Sequence, residues 1–195
     1  MTDASADWDL VERVKAGDDR AFDALLARYR RSVLNFVYRM TGNAADAEDV
    51  AQGVFVRAYQ AIQKPSVHRT GAAFSTWLFQ VARNAALDDL RRRRRHPAES
   101  LDVIQEHGDL AGAVGTSRDT VSGKETGAQI AAAVALLPED QRATFILAEY
   151  EDLGYAEVAA ILDCSEKSVE SRLYRARHFL RERLAHLLTR HGSPT

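Results

Sequence analysis

From Pro97 to about Gly127 the chain is rich in Gly, Ser, Thr and Asp, and its scattered apolar residues keep no period. On both sides of that stretch, apolar residues recur at helical spacing. Structureless connections of this length are uncommon inside one compact domain. The pattern therefore predicts two small helical domains, residues 1–96 and 128–195, joined by a flexible linker at 97–127. With 195 residues, 46% of them hydrophobic, the chain can build two modest cores. An abundance of Ala, Leu, Arg and Glu suits helices, and the expected fold class is all-α.

In the first domain, Leu10, Val11 and Val14 mark one helix, and Phe22, Leu25, Leu26, Tyr29, Val33, Phe36, Val37 and Met40 a stronger second one that Gly42 stops. Asn43 caps a third, carrying Val50, Val54, Phe55, Ala58, Tyr59 and Ile62 before Pro65 and Gly71. With Ser75 as N-cap, Phe74 and Phe79 would form a hydrophobic staple at the start of a fourth helix. That helix runs through Trp77, Leu78, Val81, Ala82 and Leu90 into five arginines, and Pro97 ends it. The second domain opens with Ile130 to Leu137. Pro138 then starts a helix with Ala143, Ile146 and Leu147, a short helix covers Tyr155 to Leu162, and a long one runs from Ser165 toward Thr189.

Charge is distributed unevenly. The formal net charge is only −2, yet Arg83–Arg95 holds six Arg against two Asp, and Cys164–Arg190 one Lys and six Arg against three Glu. Between them, His96–Gly127 is acidic. One cysteine can form no internal disulfide and, without Cys or His partners at ligand spacing, is a poor zinc site. No apolar run approaches the roughly 20 residues that span a bilayer, and the acidic, polar N-terminus is unlike a signal peptide, so a cytoplasmic protein without membrane insertion is expected. Scattered histidines and the lack of a Gly-rich phosphate loop or a Ser/His/Asp pattern argue against an enzyme, and no cofactor is implied.

Tyr155 to Tyr174 reads as a helix-turn-helix. Ala159 is small where two helices cross, Asp163 sits at the turn, and Val169 and Leu173 face back to the core. The second helix presents Lys167, Ser168, Glu170, Ser171, Arg172, Arg175 and Arg177, residue types that reach bases and phosphates in a major groove. Such charges can also be only the solvated face of an amphipathic helix. The run Arg91 to Arg95 suits phosphates or a helix C-terminus. Trp77 lies within an apolar run and reads as core rather than as a base-stacking ring.

Asp46 to Gln52 with Phe55-Val56-Arg57-Ala58 and Phe74 to Phe79 in the first half, and Leu136 to Arg142, Tyr155 to Ala159 and Ser168 to Arg177 in the second, together resemble the extracytoplasmic-function group of sigma-70-family RNA polymerase sigma factors. In the second half, Leu136-Leu137-Pro138-Glu139-Asp140-Gln141-Arg142, Tyr155-Ala156-Glu157-Val158-Ala159 and Ser168 to Arg177 look like region 4. In the first, Asp46 to Gln52 with Phe55-Val56-Arg57-Ala58, and Phe74 to Phe79 leading to Ala82-Arg83-Asn84 and Asp88, look like region 2. The resemblance implies binding to core RNA polymerase, through its β′ clamp and β flap, and to promoter DNA, with control by an anti-sigma factor. It places polymerase contact on Asp46, Glu48, Asp49, Gln52, Phe55 and Arg57. Minus 10 recognition and melting go to Trp77, Arg83, Asn84, Asp88, Arg91 and Arg92 with the loop before Phe74, and minus 35 reading to Lys167 through Arg177. Gly53 stands where the family commonly has Glu, and Glu170 where Lys is common. A helix-turn-helix regulator acting without polymerase is the alternative.

Overall fold

The structure, a computed structural model, describes residues 4–64, 67, 71–96, 121–185 and 187. Among these residues every regular element is an α-helix: α1 (Ala4–Lys15), α2 (Asp19–Thr41), α3 (Ala44–Ile62), α4 (Phe74–Arg95), α5 (Val121–Ala135), α6 (Glu139–Glu149), α7 (Tyr155–Leu162) and α8 (Glu166–Arg183). The all-α expectation holds.

Most helix ends have a local cause. Gly42 ends α2 at φ 75°, a conformation that costs glycine nothing, and its N–H donates to the Tyr38 carbonyl at 2.7 Å. The Asn43 side chain accepts from the Asp46 N–H at the start of α3, and the Ser165 hydroxyl accepts from the Ser168 N–H, 3.2 Å away, at the start of α8. Helix α4 departs from expectation. It begins at Phe74 with Ala73 in the cap position, so Ser75 is not the N-cap and the Phe74–Phe79 staple does not form. The reason is packing. Phe74 is drawn into a cluster with Trp8, Tyr29 and Trp77, at ring separations of 5.9, 5.7 and 5.5 Å, while Phe79 turns to Phe36 at 5.6 Å.

Helix α5 also starts early, at Val121, inside the stretch whose composition reads as linker. Gly123 and Gly127 lower its propensity and no apolar stripe marks its first turns, so the sequence pattern shows only its second half. The remaining linker positions, 97–120, lie outside the described residues, as do 188–195, into which the sequence pattern extends the last helix. Helix α8 itself ends at Arg183.

Helices α2, α3 and α4 enclose Val33, Phe36, Val37, Val54, Ala58, Leu78 and Ala82, with α1 adding Trp8, Val11 and Val14; all are buried. A second set, Ile146, Leu147, Val158, Ile161, Val169 and Leu173, joins α6, α7 and α8. Each large apolar side chain contributes about 1.5–3 kcal/mol on burial, more than propensity supplies to helices of this length. The two groups also touch, α2 against α5 and α6, and α4 against α7. Across that seam Arg142 donates to the Met40 carbonyl at 2.6 Å, Gln80 donates to the Ala160 carbonyl at 2.8 Å, and Arg94 pairs with Glu139 at 2.6 Å. The Arg39 guanidinium lies 3.9 Å over the Tyr150 ring.

Glu151 meets Ser32 and Arg39 of α2 at the same seam. Burial pushes its carboxyl above the ordinary value of 4.5, against the Ser32 hydrogen bond and the Arg39 charge, which pull it down. The docked state therefore holds the Glu151 proton more tightly than an undocked one. Its contribution to docking is fully present below the ordinary value and is lost as pH rises through the raised one. The melting temperature of the full chain should carry a component that falls as pH rises through that window, and Glu151→Gln should remove this component. An unchanged pH profile in the variant would assign the effect to other groups.

Candidate nucleic-acid and partner interfaces

Asp163 turns the chain between α7 and α8 with φ 50° and ψ 55°, the left-handed conformation that its position requires. Its N–H and that of Cys164 both donate to the Ala159 carbonyl. Ala159, Val169 and Leu173 are buried between the two helices, as the motif demands. With that face inward, Lys167, Glu170, Ser171 and Arg175 stand exposed on the other side of α8. This is the geometry of a helix-turn-helix reader. Arg175, Glu170 and Ser171 line a shallow depression together with Tyr155, Tyr174 and Arg177. Tyr174, inside the Lys167–Arg177 span but not singled out there, is 70% exposed; an aromatic ring off the buried stripe of an amphipathic helix is the signal.

Three predicted readers have partners within the protein. The Ser168 N–H and hydroxyl are both engaged by the Ser165 hydroxyl in the helix cap. Arg172 lies 3.3 Å from Asp140 of α6 and 3.6 Å from the Cys164 sulfur, which is half-buried, as a packing thiol would be. Arg177 forks onto Glu149 at 2.5 and 3.0 Å, and that hydrogen bond is the main cause of its raised pKa.

On α4, Asn84, Asp88 and Arg91 share an exposed face, Asp88 and Arg91 pairing at 3.4 Å. Trp77 is half-buried against Phe74. Arg83 points to α6 and lies 3.5 Å from Asp140. One carboxylate thus accepts from Arg83 and Arg172, residues that sequence reading assigns to two different DNA elements. The arginine run is partly structural. Asp89, 5% exposed, holds Arg92 at 2.6 Å and Arg93 at 2.7 Å, and Arg93 also reaches Asp46 at 2.5 Å. Asp46 therefore ties the start of α3 to the end of α4. Asp89 was missed because, beside Asp88 and before five arginines, it looks like any solvated charge; only burial distinguishes it.

The other α3 candidates divide by face. Glu48, Gln52 and Phe55 border an apolar groove between α2 and α3, whose walls are Phe22, Leu26, Leu34, Ala51, Val56 and Tyr59. Asp49 and Arg57 are exposed. Phe22 and Tyr59 meet edge to face at 5.0 Å, and the Tyr59 hydroxyl donates to Asp19 at 2.7 Å, which fixes one wall. Val56, 55% exposed, projects from α3. A Cβ at Gly53 would meet nothing within 4 Å, so packing does not require glycine there. Among the described residues no helix is long and apolar enough to cross a membrane, and no cluster of three or more His, Cys, Asp or Glu could hold a metal ion.

Residues 25–96 match the family Sigma-70 region 2, and residues 127–180 match Sigma-70, region 4. The chain is 36% identical to the RNA polymerase sigma-H factor of Pseudomonas aeruginosa, over 96% of this chain and 98% of that protein. It is 34% identical to the ECF RNA polymerase sigma-E factor of Escherichia coli K12, over 97% of this chain and all of that protein. Two solved structures share the fold. CnrH in complex with the cytosolic domain of CnrY matches 96% of this chain and 99% of its own, with a TM-score of 0.66 at 24% identity. The sigma factor RpoE in complex with the anti-sigma factor NepR from Bartonella quintana matches 84% of this chain and 96% of its own, with a TM-score of 0.64 at 25% identity. With both regions present in order and relatives aligned along nearly its whole length, the chain belongs to the extracytoplasmic-function sigma factors of the sigma-70 family.

Proposed function

We infer that the chain joins core RNA polymerase through the α2–α3 groove and directs it to promoters read by α8 and α4, with the catalytic chemistry left to the polymerase. The observation that carries this reading is the combination, in one chain, of a helix-turn-helix with an exposed polar face and a separate apolar groove on the region 2 half. In this reading Lys167, Ser171 and Arg175 meet the minus 35 element. Asn84, Asp88 and Arg91, with the connection before Phe74, meet the minus 10 element. The cytoplasm is the compartment in which such a protein would act. Control by an anti-sigma factor is part of the proposal, supported by the solved complex of the similar RpoE with NepR.

Minus 10 and minus 35 elements lie about 25 base pairs apart, or about 85 Å at 3.4 Å per base pair. Arg83 and Arg172 share one carboxylate, so the halves must part for both elements to be bound at once. The test is run-off transcription with bacterial core polymerase on a promoter fragment library, comparing the full chain with Lys167→Ala plus Arg175→Ala. Both residues are exposed, so the fold should survive. Start sites that depend on the protein should appear and fall about 30-fold or more in the double variant, since each base or phosphate contact is worth roughly 1–3 kcal/mol. DNA binding without polymerase recruitment would instead select the independent regulator.

A further inference from the structure

Helix α1 lies outside the residues that match either sigma region, yet it reaches the place where the chain enters α4. Trp8, 4% exposed, donates its indole N–H to the Ala72 carbonyl at 3.0 Å, across 64 residues of sequence. Its ring meets Phe74 edge on, at 85°. The neighbouring Asp7 is 1% exposed and accepts from the Tyr29 hydroxyl and the Arg28 guanidinium, which locks α1 onto α2. Tyr29 in turn packs on Phe74, and burial, followed by the Asp7 carboxylate, pushes its phenol pKa well up. Indole has a single donor and no acceptor, so the Trp8 bond fixes both the ring and the carbonyl that receives it.

In the connection between α3 and α4, Val67 packs on the core, and its N–H donates to the Lys64 carbonyl at 3.2 Å. Ala72 and Ala73 offer no side chain long enough to hold the exit, and Ala73 supplies no side-chain cap to α4. Among the described residues, the indole N–H supplies the hydrogen bond that ties the backbone of this exit to another element, beside the packing of Phe74. Base readout needs the contacting backbone placed to within about 0.5 Å, and the exit at Ala72 loses that placement once the indole bond is gone.

We propose that Trp8 is a positioning residue for minus 10 discrimination: α1 straps the exit of the α3–α4 connection through the Trp8 N–H and Ala72 carbonyl. This rests on the reading that the connection before Phe74 faces the minus 10 element.

The experiment uses the full chain with core polymerase. The templates are one promoter that the wild-type protein selects and the same promoter with each minus 10 base pair substituted in turn. Trp8→Phe keeps an aromatic ring against Phe74 but removes the donor. Val11→Ala, at a fully buried site of the same helix, weakens α1 and leaves the Trp8 donor in place. Trp8→Phe should lower the ratio of run-off from the matched template to that from substituted templates by about fivefold, a little under one decade of discrimination. Its affinity for core polymerase and for a minus 35 duplex should stay at the wild-type level. Val11→Ala should lower the melting temperature at least as far and keep the ratio.

An unchanged ratio in Trp8→Phe overturns the strap. So does an equal loss of ratio in Val11→Ala, because stability alone would then account for it. If the wild-type protein selects no promoter at all, the underlying reading fails, and that outcome is distinct from the loss of the strap alone.

Discussion

Val56→Glu is expected to weaken binding of the full chain to core RNA polymerase by about 30-fold or more, while the melting temperature of the free protein barely moves. The two halves of this expectation have different origins. Val56 is 55% exposed on α3, so a charge there stays solvated in the free protein, and surface substitutions of this kind usually change stability by no more than about 0.5 kcal/mol. In a complex, the groove walled by Phe22, Leu26, Leu34 and Tyr59 would be covered, and the new carboxylate would lose its water against apolar side chains. Truncating or charging such a central apolar contact commonly costs 2 kcal/mol or more, which is the factor stated. Asp49→Ala, on the exposed side of α3, should change affinity only a few-fold and lose its effect in high salt, as a rim charge does. Titration of labelled polymerase measures both. Unchanged affinity in Val56→Glu with a marked loss in Asp49→Ala would move the polymerase contact from the groove to the acidic edge.

How much of this was legible beforehand depends on the kind of signal. Apolar periodicity and caps located α2, α3, α7 and the turn at Asp163 because each is decided within a few residues. The start of α4 was misread because Ser75 and Phe79 satisfy the local staple pattern, while Trp8 and Tyr29, distant in sequence, hold Phe74 in the core. The reader face of α8 was named residue by residue, yet its partners were not. Nothing local says that Arg177 meets Glu149, or that Arg172 and Arg83 meet Asp140. The acidic residues of α3 illustrate the same limit. Asp46 and Asp49 look alike in sequence, but Asp46 is tied to Arg93 and Asp49 is exposed. The groove is only half legible: Phe55, Glu48 and Gln52 stand out in the sequence, whereas Phe22 and Leu26 read simply as the core stripe of α2 and Leu34 falls outside that stripe.

Arg142→Ala should cost about 3 kcal/mol of stability and let the two halves separate. The guanidinium donates to the carbonyls of Met40, Leu137 and Ala135, the first at 2.6 Å and the second at 3.0 Å. Met40 lies in the last turn of α2 and Ala135 ends α5, so two of these acceptors belong to helix C-termini, where no intrahelical donor remains. A cation at that place satisfies the orphan carbonyls and opposes the negative end of each helix dipole. Burial lowers the Arg142 pKa, against the pull of Glu139, yet a guanidinium stays charged, so the three bonds are charge-assisted. Alanine leaves the acceptors without their donor, at roughly 1–3 kcal/mol for each that water cannot reach. Lysine, with one nitrogen in place of a fork, can serve only part of the set and should recover less than half of the loss. Urea unfolding of the full chain gives the stability, and energy transfer between dyes placed on α3 and α8 gives the separation. A loss under about 1 kcal/mol would mean that water reaches these carbonyls readily. A full loss without separation would mean that the Gln80, Arg94 and Arg39 contacts hold the seam unaided, with Arg142 serving only the junction of α5 and α6.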